Sequence, residues 1–123
     1  GIRVICCYIN DVYAVAELLM LHDEFRLLKV KDYIKNPKPN GYRSLHIILN
    51  VPVYTQNRKQ FAPVEIQLRT IAMDFWASLE HQLRYKTKAS ISSEITDTLT
   101  ECAETIAETD EKMQRIFNEI NKI

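Results

Sequence analysis

Between Lys31 and His46 the chain reads KDYIKNPKPNGYRSLH, a run holding four cations (Lys31, Lys35, Lys38, Arg43), two tyrosines (Tyr33, Tyr42) and a histidine. Cations donate to anionic oxygens and tyrosine rings offer π faces, so these are the groups that an anionic, aromatic ligand such as a nucleotide requires. Farther on, VEIQLRT places Glu65, Gln67 and Arg69 at every second residue. In a strand that spacing puts a carboxylate, an amide and a guanidinium on one side. The same residues also describe a solvated basic hairpin beside a half-wet sheet, and composition alone leaves both readings open.

The elements that position these groups follow from the punctuation. Pro37, Pro39 and Gly41, the only glycine inside the chain, can hold the loop in defined turn geometry, because proline fixes φ and glycine enters positive φ without strain. Apolar residues 2–8 predict a central strand buried on both faces. Asn10 or Asp11 can cap a short helix bearing Val12, Val15, Ala16 and Leu19 and ending near His22. Three successive antiparallel strands are predicted at 26–35, 42–54 and 61–69, with a polar turn TQNRKQ before the last.

Sorted by alternation, Lys29, Lys31, Tyr33 and Lys35 share one face of the second strand. Tyr42, Ser44 and His46 share a face of the third, and Glu65, Gln67 and Arg69 a face of the fourth. Thr70 can cap a helix to about Tyr85 with a stripe of Ala72, Phe75, Trp76, Leu79 and Leu83, in which Phe75 and Trp76 read as core. After a polar break at 86–92, a long helix from Ser93 carries Ile95, Leu99, Cys102, Ile106, Thr109, Met113, Ile116, Ile120 and Ile123 at alternating spacings of four and three. Such a seam packs either on its own domain or against another subunit.

At 123 residues there is room for one small domain. Sixteen basic and sixteen acidic residues cancel, which argues against a phosphate-tracking nucleic-acid binder. The charge is segregated, however. Between 26 and 46 six cations, including Arg26 and Lys29, are opposed only by Asp32, whereas the excess is acidic from residue 90 onward. Three cysteines, Cys6, Cys7 and Cys102, give neither a disulfide framework nor zinc spacing, and fit a reducing cytoplasm. No apolar run reaches membrane-spanning length. The chain opens inside a strand without a methionine, so it is expected to be part of a larger protein.

NPKPNGYRSLH followed by VEIQLRTIAMDFWASLEHQLRYK resembles the synthetase domain of the RelA/SpoT-like GTP pyrophosphokinases, in particular the small alarmone synthetases. The opening GIRVIC is similar to the segment after that family's catalytic aspartate. The resemblance covers most of residues 1–86. It implies an α+β fold, a nucleotidyltransferase-like mixed sheet flanked by helices with a long C-terminal helix. The expected organisation is a partial catalytic domain at 1–88 and a helical extension at 89–123. The implied reaction transfers the β,γ-pyrophosphate of ATP to the 3′-hydroxyl of GDP or GTP, giving ppGpp or pppGpp and AMP.

Carried onto this chain, the resemblance makes Glu65 the carboxylate that orients or deprotonates the 3′-hydroxyl and lies near Mg²⁺. It gives Tyr42 the role of stacking on guanine, with Asn40 beside it, and Lys31 and Lys38 contacts to acceptor phosphates. His46 and Gln67 join them on the same polar faces, and Lys35 has a weaker claim. Arg3 resembles the arginine that stacks on the adenine of ATP, as a planar guanidinium can. The family's Mg²⁺-binding aspartate precedes the glycine-isoleucine-arginine segment, and its basic ATP motif lies further upstream. The chain starting at Gly1 is therefore expected to be inactive by itself and its parent to be the synthetase. A homo-oligomer, possibly a tetramer, in the cytoplasm is also implied, with no membrane partner. Two other readings are an inactive guanine-nucleotide-binding regulatory module and a helix-mediated oligomerisation domain. No His-Asp cluster suggests the family's hydrolase activity.

Overall fold

A computed structural model describes residues 1–86 and 91–122. In chain order they form β1 (Ile2–Cys6), α1 (Ile9–Met20), β2 (Arg26–Asp32), β3 (Leu45–Thr55), β4 (Arg58–Thr70), α2 (Ile71–Lys86) and α3 (Ser93–Asn121). The strands make one mixed sheet in the order β1-β4-β3-β2. β1 runs parallel to β4, while β2, β3 and β4 are successively antiparallel. The expected α+β class and the three-strand meander are therefore present.

Alternation decides which face is buried. Leu45, Ile47 and Leu49 of β3 and Ile66 and Leu68 of β4 join Cys6, Val12 and Ala16 in the main core, so α1 covers this face. Fully burying a side chain such as Ile47, Leu49 or Leu68 contributes about 1.5–3 kcal/mol. The intervening residues carry the polar groups to the other face. A second cluster of Trp76, Ala77 and Ala103 joins α2 to α3, with Tyr42, Leu99 and Ile106 packed against it. The Trp76 indole N–H donates to the Leu99 carbonyl at 2.9 Å and ties the two helices through the backbone.

Several boundaries differ from the sequence reading for identifiable reasons. β1 lies at an edge of the sheet among the described residues, with Ile2 and Ile5 exposed, instead of at its centre. β2 stops at Asp32, whose Oδ1 accepts from the amides of Ile34 and Lys35 and turns the chain. β3 begins only at Leu45, and the expected six-residue turn shrinks to Gln56 and Asn57, both at positive φ. Ser44 leaves the polar face altogether. It is fully buried and donates to the Leu68 carbonyl at 3.2 Å.

The helices show the same mixture. Thr70 caps α2 as expected, its Oγ1 accepting from the Met73 amide at 3.1 Å. α1, by contrast, starts at Ile9 behind Tyr8, which offers no cap, so neither Asn10 nor Asp11 serves. Gln114 of α3 supplies the missing acceptor, taking the Asn10 amide at 2.8 Å. Trp76 is core, but Phe75 is 59% exposed. On α3 the buried positions are Ala103, Asp110 and Gln114, rotated about one residue from the predicted seam. Ile95, Met113, Ile116 and Ile120 of that seam are consequently exposed. The expected boundary at 88/89 and seam residue Ile123 lie outside the described residues.

Candidate nucleotide site

Strand pairing brings four of the sequence-predicted residues into one row. Lys31 of β2 pairs with His46 of β3, His46 with Gln67 of β4, and Gln67 with Arg3 of β1. Paired residues point to the same side, so the row crosses the whole sheet on its open face. The next row holds Lys29, Ile48 and Glu65. A bulge between Leu27 and Lys29 resets β2 so that both lysines reach this face.

The side chains then close into a ring. Tyr42 Oη lies 2.9 Å from His46 Nε2, and His46 Nδ1 lies 3.5 Å from Glu65 Oε1. Gln67 Nε2 donates to Glu65 Oε1 at 3.3 Å, and its Oε1 accepts from Arg69 Nη2 at 2.8 Å. The same Nη2 donates to Tyr42 Oη at 2.9 Å and completes the circuit. Neutral His46 thus stands between Tyr42 and Glu65, its Nε2 toward the phenol and its Nδ1 toward the carboxylate, and donor and acceptor exchange between the two nitrogens with the tautomer. Both contacts use Glu65 Oε1, on a side chain 45% exposed.

Burial lowers the His46 pKa below its ordinary value; the Glu65 carboxylate pulls it up, while Lys38, Arg69 and Lys31 push it down. His46 is therefore a neutral connector at pH 7. Arg69 is nearly buried, its Nη1 paired with Asp74 Oδ1 at 3.1 Å and its Nε without a partner among the described residues. Arg3 reaches the same Asp74 oxygen at 3.4 Å but keeps about half its side chain exposed. Arg3, Tyr42, Gln67, Arg69, Ser78 and His81 line a cleft of about 410 Å³ between the sheet and α2.

The proline-glycine loop delivers Tyr42 to this ring. Its turn is closed by Gly41 N–H to Lys38 O at 2.8 Å and Lys38 N–H to Tyr42 O at 3.1 Å, with Gly41 at φ 96°. Asn40 Oδ1 accepts from the Tyr42 amide at 3.0 Å, so half of its amide group serves the loop. Lys38 Nζ sits 4.9 Å from the Tyr33 ring centre and 5.1 Å from that of Tyr42, a cation held at the aromatic wall. Lys35 does not join the site: the turn after Asp32 places its Nζ 5.6 Å from the ring of Tyr13 on α1. Two contributors escaped the sequence reading. Arg69 was placed on the correct face by alternation without a role, and Asp74 has no local signal beyond its place in the first turn of α2.

The described residues include no cluster of three or more metal-ligating side chains. Glu65, 45% exposed, presents a carboxylate to the open face, which fits a Mg²⁺ ion that takes one carboxylate and completes its shell with phosphate and water. No helix is long and apolar enough to cross a membrane among the described residues.

Comparison with known proteins converges on one family. The family model described as "Region found in RelA / SpoT proteins" matches residues 1–90. The chain is 51% identical to GTP pyrophosphokinase YwaC of Bacillus subtilis over 121 residues, covering 98% of the chain and 58% of that protein. It is 35% identical to GTP pyrophosphokinase YjbM of the same organism, covering 99% and 58%. The chain thus spans little more than half the length of these curated relatives. The crystal structure of small alarmone synthetase 2 from Bacillus subtilis superposes with a TM-score of 0.91 at 52% identity, covering 95% of this chain and 64% of that one. Small alarmone synthetase 1, solved bound to its product pppGpp, gives 0.89 at 36% identity, covering 96% and 61%. On sequence and fold together, the chain belongs to the RelA/SpoT family.

Proposed function

We propose that this chain supplies the acceptor-nucleotide half of a (p)ppGpp synthetase. The observation that carries the reading is the closed ring of Tyr42, His46, Glu65, Gln67 and Arg69 beside Lys38 and Lys31 on the open sheet face. The guanine of GDP or GTP stacks on Tyr42, Asn40 adds a polar contact, and Lys31 and Lys38 meet the acceptor phosphates. Gln67 and His46 hold Glu65 in place. The 3′-oxygen attacks the β-phosphorus of ATP, the bond from that phosphorus to the α–β bridging oxygen breaks, and AMP leaves. Glu65 orients the hydroxyl and takes its proton.

Arg3 stacks on the adenine of ATP, its planar group already levelled by Asp74. Glu65 would be one ligand of a bound Mg²⁺ ion, which would neutralise charge at the phosphates. The domain reading at 1–88 and 89–123 belongs to this proposal, as does a cytoplasmic location, which suits the free thiols of Cys6, Cys7 and Cys102. The test is thin-layer separation of the products of ATP plus GDP. The full-length protein forms ppGpp and AMP, and Glu65→Gln abolishes both; normal GDP binding with no turnover in the wild type would instead establish a regulatory module.

A homo-oligomer, possibly a tetramer, is the second part of the proposal. Ile95, Met113, Ile116 and Ile120 form an exposed apolar seam along α3. An apolar groove of about 420 Å³ between α2 and α3, with Phe75, Leu79 and Cys102 in its wall, runs beside it. A second copy of α3 matches such a seam in length and pattern. Light scattering reads it: Ile116→Asp lowers the mass of the wild-type assembly, and a monomeric wild type at high concentration contradicts it.

A further inference from the structure

The C-terminal helix touches the nucleotide loop from behind. Asp110 of α3 is 4% exposed, and its Oδ2 accepts from Thr70 Oγ1 at 2.6 Å and from Arg43 Nη2 at 3.4 Å. Arg43 follows Tyr42 and is itself buried. Thr70 ends β4 directly after Arg69 and caps α2. One carboxylate oxygen therefore joins the loop, the strand of Glu65 and the helix of Asp74 at a single point. Two turns before it, Ala103 lies under the glycine of the loop. A Cβ added at Gly41 would come 2.5 Å from the Ala103 Cβ, so helix and loop backbone touch with no space between them. Thr100 Oγ1 lies 3.4 Å from the Asn40 carbonyl, and Tyr42 packs on the Trp76–Ala77–Ala103 cluster.

We infer that Asp110 and Ala103 are positioning residues for the acceptor nucleotide, with α3 serving as the back wall of its loop. A buried carboxylate is costly unless paired, and removing one partner leaves the other uncompensated. Here the pair fixes Arg43, the residue after Tyr42, and through it the ring that faces the base. None of these α3 groups reaches the open sheet face. Removing only the charge facing Arg43 acts on the acceptor subsite, since the Thr70 cap of α2 keeps its acceptor and Arg3 is held through Asp74.

This inference rests on the acceptor reading of Tyr42, and its test separates the two. In the full-length protein, Asp110→Asn keeps shape and an acceptor for Thr70 while removing the charge facing Arg43. The KM and calorimetric Kd for GDP rise about tenfold, while the KM for ATP and kcat at saturating GDP stay within about twofold. Amide hydrogen exchange at Lys38 and Gly41, whose N–H groups close the loop, accelerates in the same variant. Unchanged exchange and unchanged GDP affinity, or equal shifts for both substrates, overturn the inference. Should Asp110→Asn fail to fold, Ala103→Val wedges the same contact and is held to the same outcomes. A wild type that binds no GDP refutes the acceptor reading; faster loop exchange in the variant then still upholds the buttress.

Discussion

Tyr42 and His46 meet through their polar atoms at 2.9 Å although the residue midway between them, Ser44, is turned into the core. The loop before Leu45 is not strand, so Tyr42 folds back over the sheet face in place of continuing its alternation. A ring on that path is anchored by its hydroxyl, with Lys38 Nζ 5.1 Å and Arg69 Cζ 5.5 Å from its centre. Tyr42→Phe keeps the face and loses the two hydroxyl contacts to His46 and Arg69, so GDP affinity falls by only a few-fold. Tyr42→Ala removes the face and weakens GDP by about 1–3 kcal/mol, read by calorimetry.

His46 sets a pH dependence. Its pKa is lowered in the folded chain, so between the folded value and the ordinary value near 6.5 the unfolded chain binds more protons. The His46 contribution is therefore complete above about pH 6.5 and is lost as the pH falls through that value toward the folded pKa. Protonated His46 must donate from Nε2 to Tyr42 Oη, which already accepts from Arg69. Thermal midpoints measured from pH 5 to 8 should rise to a plateau in the wild type, and the slope should diminish in His46→Gln.

Gly41 is held by conformation and contact together. At φ 96°, with Ala103 2.5 Å from the place of a Cβ, Gly41→Ala costs about 1–3 kcal/mol from backbone strain alone. Denaturant unfolding checks the loss of stability. Weaker GDP binding in the folded fraction accompanies it, because Tyr42 is the next residue.

Gln114 predicts a purely structural effect. It supplies the acceptor that Tyr8 lacks at the start of α1, and Gln114→Ala should lower stability by about 1 kcal/mol with no change in GDP or ATP affinity. A denaturation midpoint equal to wild type would show that the α1 terminus is satisfied otherwise.

The faces carrying Lys31, His46 and Gln67 are legible because strand alternation survives wherever one face is buried, and Ile47 and Leu68 hold the register; that β1 lies beside β4 and adds Arg3 to the row comes only from the pairing. Lys35 departs for a local reason: Tyr33 still faces His46, but Asp32 accepts the amides of Ile34 and Lys35 and turns the chain there, which moves Lys35 off the alternation. Phe75 and the α3 seam show a different limit. Helical periodicity finds an apolar stripe but does not say which neighbour covers it, and α3 turns Asp110 and Gln114 inward to meet Thr70, Arg43 and Asn10. Nothing in the acidic helix distinguishes Asp110 from Glu111 until those partners are in place. β1 reads as central from its apolar run, and its place at the edge follows from the pairing of β4 alone on its inner side.

The central claim is that this chain holds the acceptor site, and titration of GDP and of ATP into the full-length wild type and Tyr42→Ala tests it most directly. The account predicts that the substitution weakens GDP by roughly 5- to 150-fold while ATP binds as before. GDP binding that is unaffected by Tyr42→Ala would contradict it.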